Sequence, residues 1–144
     1  MLINISSMKI YFAGSIRGGR EDAKLYKKII DHLGEIGEVL TEHVGDKFLC
    51  KMGESNTDID IFRRDMEWLN LADVIVAEVT TPSLGVGYEL GIAEKIQKPI
   101  LCLYRSSDDR RLSAMIGGNQ AFTCCYYSSL KEIVACIDNY FKKI

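Results

Sequence analysis

In the segment Asp73-Val-Ile-Val-Ala77, an aspartate is followed by an uninterrupted run of apolar residues, most of them β-branched. Such a run is typical of a strand that is covered on both faces, as in the interior of a parallel sheet. A segment with helical spacing of apolar residues precedes it, from Asp58 to Leu71, and we expect another helix after it, from about Val86 to Gln97. This stretch therefore predicts the centre of a sheet built from alternating strands and helices.

The same alternation continues outward in both directions. Four more strands are predicted, at Lys9–Ala13, Glu38–Thr41, Pro99–Tyr104 and Phe122–Tyr127. Two more helices are predicted, at Glu21–Ile36, with Gly37 as its C-cap, and at Leu130–Phe141. Because parallel strands need crossover connections, we expect an α/β fold with a doubly wound, five-stranded parallel sheet of order 2-1-3-4-5 and helices on both faces.

The length and charge of the chain limit what it can be. Its 144 residues suit one domain, which we place at 8–144 after a short extension at 1–7. Lys and Arg number 18 against 20 Asp and Glu, so no basic field favours a nucleic-acid polymer. A small ligand is the better expectation.

The cysteines and the apolar runs indicate the compartment. Five cysteines are present, an odd number without a C-x-x-C pair, and no secretion signal precedes them. We therefore predict reduced cysteines and a cytoplasmic protein, with the nucleus as a second location. No apolar run approaches the length of a membrane span, so no membrane partner is expected.

The first glycine-rich loop, Gly14-Ser-Ile-Arg-Gly-Gly-Arg20, leads from the first strand into a helix. Glycines let backbone N–H groups approach a ligand closely, and a helix N-terminus favours negative charge. Ser15 and Arg17 can add hydrogen bonds suited to a phosphate. The loop has neither the Walker A nor the G-x-G-x-x-G pattern, so a monophosphate is the expected anion, with a tight turn carrying an exposed arginine as the alternative.

The second glycine-rich loop, Ser83-Leu-Gly-Val-Gly-Tyr-Glu-Leu-Gly91, follows the central strand and holds a glutamate in the first helical turns. Its glycine spacing does not fit a dinucleotide site. The glycines predict close approach of a ligand to Glu89, which would then be a partly enclosed carboxylate. The alternative is a favourable charge near a helix N-terminus.

A carboxylate in this position fits the cleavage of an N-glycosidic bond. A retaining route needs one carboxylate as nucleophile and a second group that manages protons. Asp65, in the helix before the central strand, is the natural second carboxylate, and the two carboxyls would have to lie roughly 5 Å apart. The alternative for Asp65 is a charged helix surface, paired with a neighbour at i,i+4 or i,i+1, as we expect for Glu67.

Taken together, these residues resemble the 2′-deoxynucleoside 5′-monophosphate N-glycosidases, relatives of the nucleoside 2-deoxyribosyltransferases. The resemblance covers nearly the whole chain from Met8 onward and is carried by distinctive blocks in the same order. These blocks are Tyr11–Asp22, Val39–His43, Asp65–Leu69, Ala72–Val79, Pro82–Gly91 and Leu112–Ile116. Val44 to Thr57 matches poorly, which leaves the base preference open.

The resemblance implies a homodimer that releases a free base and 2-deoxyribose 5-phosphate without a metal or an organic cofactor. It implies Glu89 as the nucleophile, with Asp65 and Tyr11 positioning the sugar and assisting proton transfer. It also implies a serine, Ser113, donated to the phosphate site of the neighbouring subunit, and His43 near the base. The full set of implied substrate-binding residues is Gly14, Ser15, Ile16, Arg17, Gly18, Gly19, Arg20, His43, Ser83, Gly85, Ser113, Ala114 and Met115.

Three other functions compete with this one. A deoxyribosyltransferase would use the same glutamate but pass the sugar to another base, and its substrates would lack the phosphate that the first loop fits. A nucleotide-binding sensor on the same fold would bind without turnover. A metal hydrolase is disfavoured because the sequence holds no cluster of His, Cys and Asp at ligand spacing.

Overall fold

The computed structural model describes residues 8–16, 22–41, 44 and 57–144. The elements, in chain order, are β1 (Lys9–Ala13), α1 (Ala23–Gly34), β2 (Glu38–Val39), α2 (Asp58–Leu71), β3 (Val74–Glu78), α3 (Leu84–Lys95), β4 (Ile100–Arg105), α4 (Ala114–Gly117), β5 (Thr123–Tyr127) and α5 (Leu130–Lys143). Within these ranges, no helix combines the length and the apolar character needed to cross a membrane.

The strands form one parallel sheet in the order β2-β1-β3-β4-β5. This confirms the predicted fold class and strand order. The winding reverses between β1 and β3, since the chain leaves β1 toward β2 and later returns to the other side of β1. In such sheets the connections after these two strands run in opposite directions and leave a crevice at the strands' carboxyl ends.

The two faces of the sheet carry separate apolar cores. Alternate residues of a strand point to opposite faces, so Val74 and Val76 of β3 pack with α1 and α5, whereas Ile75 and Ala77 pack with α2 and α3. All five residues of β3 are buried. The central strand is thus covered on both sides, as its continuous hydrophobicity predicts.

Several predicted boundaries were wrong by a few residues, for local reasons. The strand predicted at Glu38–Thr41 is only two residues long, because Thr41 bonds to the backbone of Phe12 through its side chain. The Thr41 hydroxyl accepts a hydrogen bond from the Phe12 N–H at 2.8 Å and donates one to the Phe12 carbonyl at 2.7 Å. Gly37 is not the C-cap of α1, which is Glu35. The chain needs a glycine at 37 because a Cβ there would lie 2.5 Å from the carbonyl oxygen of Met8.

The prediction that the cysteines are all reduced was wrong for one pair. Cys125 in β5 and Cys136 in α5 form a disulfide, with their Cα atoms 6.2 Å apart. The turn after β5 folds α5 back along the strand, and the eleven-residue separation gave no local signal of that contact. Cys102 and Cys124 are free, and Cys50 lies outside the described residues. Among the described residues, no group of three His, Cys, Asp or Glu side chains could hold a metal ion.

Candidate active site

A cavity of about 1030 Å³ opens at the carboxyl ends of β1 and β3, in the crevice that the fold predicts. Its walls come from the segments that follow these strands, from the facing sides of α2 and α3, and from the short α4. Both candidate carboxylates, Asp65 and Glu89, line it. The cavity therefore unites the second glycine-rich loop with the helix that carries Asp65.

Glu89 lies in the second turn of α3, with Gly85 one turn before it. A Cβ added at Gly85 would be 3.9 Å from the Glu89 Oε1 atom, so glycine keeps the space beside the carboxyl open. Burial raises the pKa of Glu89 to about 7, and the negative charge of Asp65 adds to the rise. Glu89 is thus an enclosed carboxyl that ionises near neutral pH.

Tyr11 interacts with the Glu89 carboxyl from the sheet side of α3. It lies in β1 and is buried on the sheet face that α2 and α3 cover. Its hydroxyl forms a hydrogen bond with Glu89, which favours the ionised carboxylate and so opposes the effect of burial on the pKa. The pKa of Tyr11 itself is raised by burial and then by the charges of Glu89 and Asp65, so the phenol stays protonated.

Asp65 stands on α2, with about a fifth of its side chain exposed. The Nε and Nη2 atoms of Arg64 both donate to its Oδ1 atom, at 3.0 and 2.9 Å. Arg64 also stacks over the ring of Trp68, with its Cζ atom 4.7 Å from the ring centroid. The charged neighbour pair that was the alternative for Asp65 therefore exists, and the same carboxylate still lines the cavity and acts electrostatically on Glu89 and Tyr11.

Only the first three residues of the first loop, 14–16, belong to the described part of the chain. Gly14 and Ile16 line the cavity, whereas Arg17, Gly18, Gly19, Arg20 and His43 lie outside the described residues. A Cβ at Gly14 would approach the Tyr26 ring to 2.9 Å. The Ser15 N–H donates to the Tyr26 hydroxyl at 3.2 Å, and the buried Ser15 Oγ atom has no hydrogen-bond partner among the described residues.

The two outer serines cap helices. Ser83 accepts a hydrogen bond from the Val86 N–H at 3.3 Å, and Ser113 accepts one from the Met115 N–H at 3.3 Å. Both serines line the cavity, as does Met115, whereas Ala114 is exposed outside its wall. Both serines therefore have a structural role as helix caps in this chain.

The sequence patterns did not single out some residues of the cavity wall. Arg111 adds a cation two residues before Ser113, and no local pattern marked it. Phe62 and Tyr88 face each other across the gap between α2 and α3, with ring centroids 6.4 Å apart. Phe62 precedes Asp65 by three residues on one helix, and this spacing could have placed it on the same face.

The sequence profile of the nucleoside 2-deoxyribosyltransferase family matches residues 10–134 of this chain. The chain belongs to this family. A 5-hydroxymethyl-dUMP N-hydrolase of Tetraodon nigroviridis is 58% identical over 113 residues, 77% of this chain and 80% of that protein. A 5-hydroxymethyl-dUMP N-hydrolase of Esox lucius is 50% identical over 141 residues, 94% of this chain and 97% of that protein.

A solved structure shares the fold of this nucleoside 2-deoxyribosyltransferase family member. The CMP N-glycosidase of Clostridium botulinum superposes with a TM-score of 0.64 at 18% identity, covering 92% of this chain and 98% of that one. In this family member, a carboxyl with a pKa near 7 meets a buried phenol and a second carboxylate beside a cavity. This arrangement can attack an electrophilic carbon and manage a proton in the same place.

Proposed function

We propose that this chain hydrolyses the N-glycosidic bond of 2′-deoxynucleoside 5′-monophosphates, releasing a free base and 2-deoxyribose 5-phosphate. The observation that carries the proposal is the enclosed Glu89 carboxyl, bonded to Tyr11 and electrostatically coupled to Asp65 in the wall of the cavity. The names of the relatives support the choice of a deoxynucleoside monophosphate as substrate.

In this proposal, the reaction has two displacements at the anomeric carbon. An oxygen of the ionised Glu89 attacks that carbon, the bond to the base breaks, and the electron pair leaves with the base nitrogen, which takes up a proton from the solvent with the assistance of Asp65. Water then attacks the same carbon and loses a proton to the Asp65 carboxylate, which returns it to the solvent, and the Glu89 carboxylate departs. Tyr11 favours the ionised form of Glu89 and orients it toward the sugar.

The phosphate of the substrate would bind where the first loop enters α1. Ser15, Arg17 and Ser83 are the proposed side-chain donors, with Gly14, Gly18, Gly19 and Gly85 allowing close approach of the backbone. The buried Ser15 hydroxyl supports this role because it has no partner among the described residues. The N-terminus of α1 adds a favourable field for an anion.

We also propose that the enzyme is a homodimer in which Ser113 reaches the phosphate site of the neighbouring subunit. Two apolar side chains at the rim of the cavity are unusually exposed for their type, Leu84 at 97% and Met115 at 82%. Exposed apolar side chains that cluster around a site are typical of an interface. Ser113 lines the same rim, so a second subunit docked there would bring its own Ser113 and Met115 close to the cavity.

The test is a panel of nucleotides with chromatographic detection of free base, including 5-hydroxymethyl-dUMP. We expect cleavage of deoxynucleoside monophosphates, and slower cleavage of the ribonucleotides, because a 2′-hydroxyl withdraws electron density from the forming cation. Glu89→Gln should lose activity by about a thousandfold or more while a deoxynucleotide still binds. Glu67→Gln, an exposed helix glutamate outside the cavity wall, is the matched control.

Each competing function has its own signature in that panel. Transfer of the sugar to an added free base, with nucleosides preferred over monophosphates, would make the chain a transferase. Binding without any base release would make it a sensor. Retained turnover in Glu89→Gln would remove Glu89 from the nucleophile role.

A further inference from the structure

A group of polar residues is centred on a buried carboxyl on the sheet face opposite to Glu89 and is not used by the reaction proposed above; one of its members, Thr80, also lines the cavity. We call it the Arg105 network, and it consists of Asp22, Glu78, Thr80, Arg105 and Tyr127. Glu78, the last residue of β3, is fully buried and, by strand alternation, faces α1 and α5. Its Oε1 atom accepts a hydrogen bond from the Tyr127 hydroxyl at 3.1 Å, from the Thr80 N–H at 3.2 Å and from the Thr80 hydroxyl.

Thr80 and Arg105 link this buried carboxyl to the start of α1. The Thr80 Oγ1 atom accepts from the Arg105 N–H at 2.9 Å. The Arg105 guanidinium then holds Asp22 in a bidentate pair, Nη1 to Oδ1 at 3.0 Å and Nη2 to Oδ2 at 3.1 Å. Asp22 is the residue before α1, and its carbonyl accepts from the Tyr26 N–H at 2.9 Å.

The network reaches the N-terminus of α1, where the phosphate subsite is proposed. Asp22 places a carboxylate at the N-terminus of α1, and Glu78 lies near enough for the charge of Asp22 to raise its pKa further, beyond the larger effect of burial. A carboxylate at a helix N-terminus competes with a phosphate for the same field. Arg105 offsets that carboxylate through two charge-assisted hydrogen bonds and fixes its direction.

We propose that Arg105 is a positioning residue for the 5′-phosphate: it neutralises Asp22 and, with Thr80 and Glu78 behind it, fixes the N-terminus of α1 against the sheet. The inference rests on the proposed function, because it assigns the phosphate subsite of that reaction to this end of α1. A purely structural ion pair would stabilise the fold without affecting how the phosphate is recognised. A positioning role therefore affects KM for the phosphorylated substrate, whereas a purely structural role affects only the stability of the fold.

The experiment compares Arg105→Gln, Asp22→Asn and the double variant. Without Arg105, the Asp22 carboxylate is uncompensated, so KM for the deoxynucleoside monophosphate should rise roughly tenfold with little change in kcat. Asp22→Asn removes that charge, so the double variant should recover most of the lost KM. Thr80→Val, which removes one link between Arg105 and Glu78, should raise KM less than Arg105→Gln does.

Asp138→Asn is the matched control, because Asp138 in α5 contacts His32 at 2.7 Å at the other end of α1. It should leave KM unchanged even if it lowers Tm. The inference is overturned if Arg105→Gln lowers Tm but leaves KM unchanged, or if Asp22→Asn fails to restore KM in the double variant. The affinity of each variant for inorganic phosphate is measured alongside. If the unaltered protein releases no base, the proposed function fails. In that case, a weaker phosphate affinity in Arg105→Gln that Asp22→Asn restores still supports the role of Arg105.

Discussion

A single carboxyl, Glu89, carries most of the chemistry proposed for this chain, and its surroundings act on its pKa in opposite directions. Burial and the charge of Asp65 raise the pKa, whereas the hydrogen bond from Tyr11 lowers it. The outcome is a pKa of about 7, so near neutral pH the proposed nucleophile is ionised in a large share of molecules. The acid limb of the pH profile therefore reports on Glu89, and kcat/KM should rise with pH up to about 7.

Tyr11→Phe tests this balance at the level of one hydrogen bond. Loss of the phenol removes the interaction that favours the ionised carboxylate, so the pKa of Glu89 should rise and the acid limb of kcat/KM should move to higher pH. Activity at pH 6 should fall more than activity at pH 9. Tyr140→Phe is the control, because this tyrosine of α5 is outside the cavity wall, and it should leave the pH profile of kcat/KM unchanged. A Tyr11→Phe profile identical to that of the unaltered enzyme would contradict the hydrogen-bond role.

Glu89→Gln should also change stability, with a definite dependence on pH. The folded-state pKa of Glu89, about 7, lies above the ordinary value of 4.5, so folding favours the protonated form. The resulting contribution to the free energy of unfolding is complete below about pH 4.5 and is lost as pH rises through 7. The amide never ionises. Relative to the unaltered protein, the variant should therefore gain about 2.5 kcal/mol of unfolding free energy between pH 5 and pH 8. Denaturant unfolding at the two pH values measures the gain, and an equal difference at both would refute it.

At the scale of elements, the sequence predicted what depends on local pattern. The helix at Asp58–Leu71 has the predicted bounds because Thr57 caps it, accepting a hydrogen bond from the Asp60 N–H at 3.2 Å, and its apolar spacing is regular. The predicted strand Glu38–Thr41 failed because its end is completed by the Thr41 side chain, which no strand pattern encodes.

The same distinction separates the site residues that were predicted from those that were missed. Glu89, Ser83 and Gly85 lie within one short stretch of sequence at the start of α3, so a local motif identifies them together. The pair of Asp22 and Arg105 joins positions 83 residues apart, and the disulfide joins a strand to a helix. Contacts of that kind depend on the three-dimensional packing of elements, which periodicity along one element cannot supply.

Gly37 gives a prediction about how elements are joined. A methyl group there would meet the backbone oxygen of Met8 at 2.5 Å, and backbone cannot move aside cheaply, so β2 would have to shift against β1. Gly37→Ala should lower the free energy of unfolding by about 1–3 kcal/mol. Gly34→Ala is the matched control, since a methyl group at this helical position meets nothing within 4 Å and should be neutral or stabilising. Equal thermal shifts in both variants would show that the contact with Met8 is not what requires glycine.

At the scale of the whole molecule, the two faces of the sheet have different proposed roles. The face covered by α2 and α3 carries the proposed reacting groups and the cavity, whereas the face covered by α1 and α5 carries the buried carboxyl of the Arg105 network and the disulfide. The two meet at the carboxyl ends of β1 and β3, where the chain turns into the first and second glycine-rich loops. A substrate that spans sugar and phosphate would bridge the two halves, so its recognition depends on both faces.

The cavity also has an open rim, and the proposed homodimer predicts what closes it. If Ser113 acts in the site of the neighbouring subunit, each site takes its Glu89 from one subunit and its Ser113 from the other. Glu89→Gln and Ser113→Ala then remove the contributions of different subunits. Mixing the two variants forms hybrid dimers in which the Glu89 of one subunit meets the Ser113 of the other, giving one intact site. After equal mixing and full exchange, about a quarter of all sites should be intact, because half of the dimers are hybrids with one restored site each.

The measurement is kcat/KM for a deoxynucleoside monophosphate in the mixture, compared with each variant alone at the same total concentration. Recovery that grows with the time of subunit exchange supports the shared site, because neither variant can generate an intact site by itself. If Ser113 served its own subunit, every site with Glu89 would still carry the alanine, and mixing would restore nothing. Glu89→Gln mixed with Asp65→Asn supplies the control: both residues lie in the wall of the same subunit's cavity, so hybrids of that pair should stay inactive.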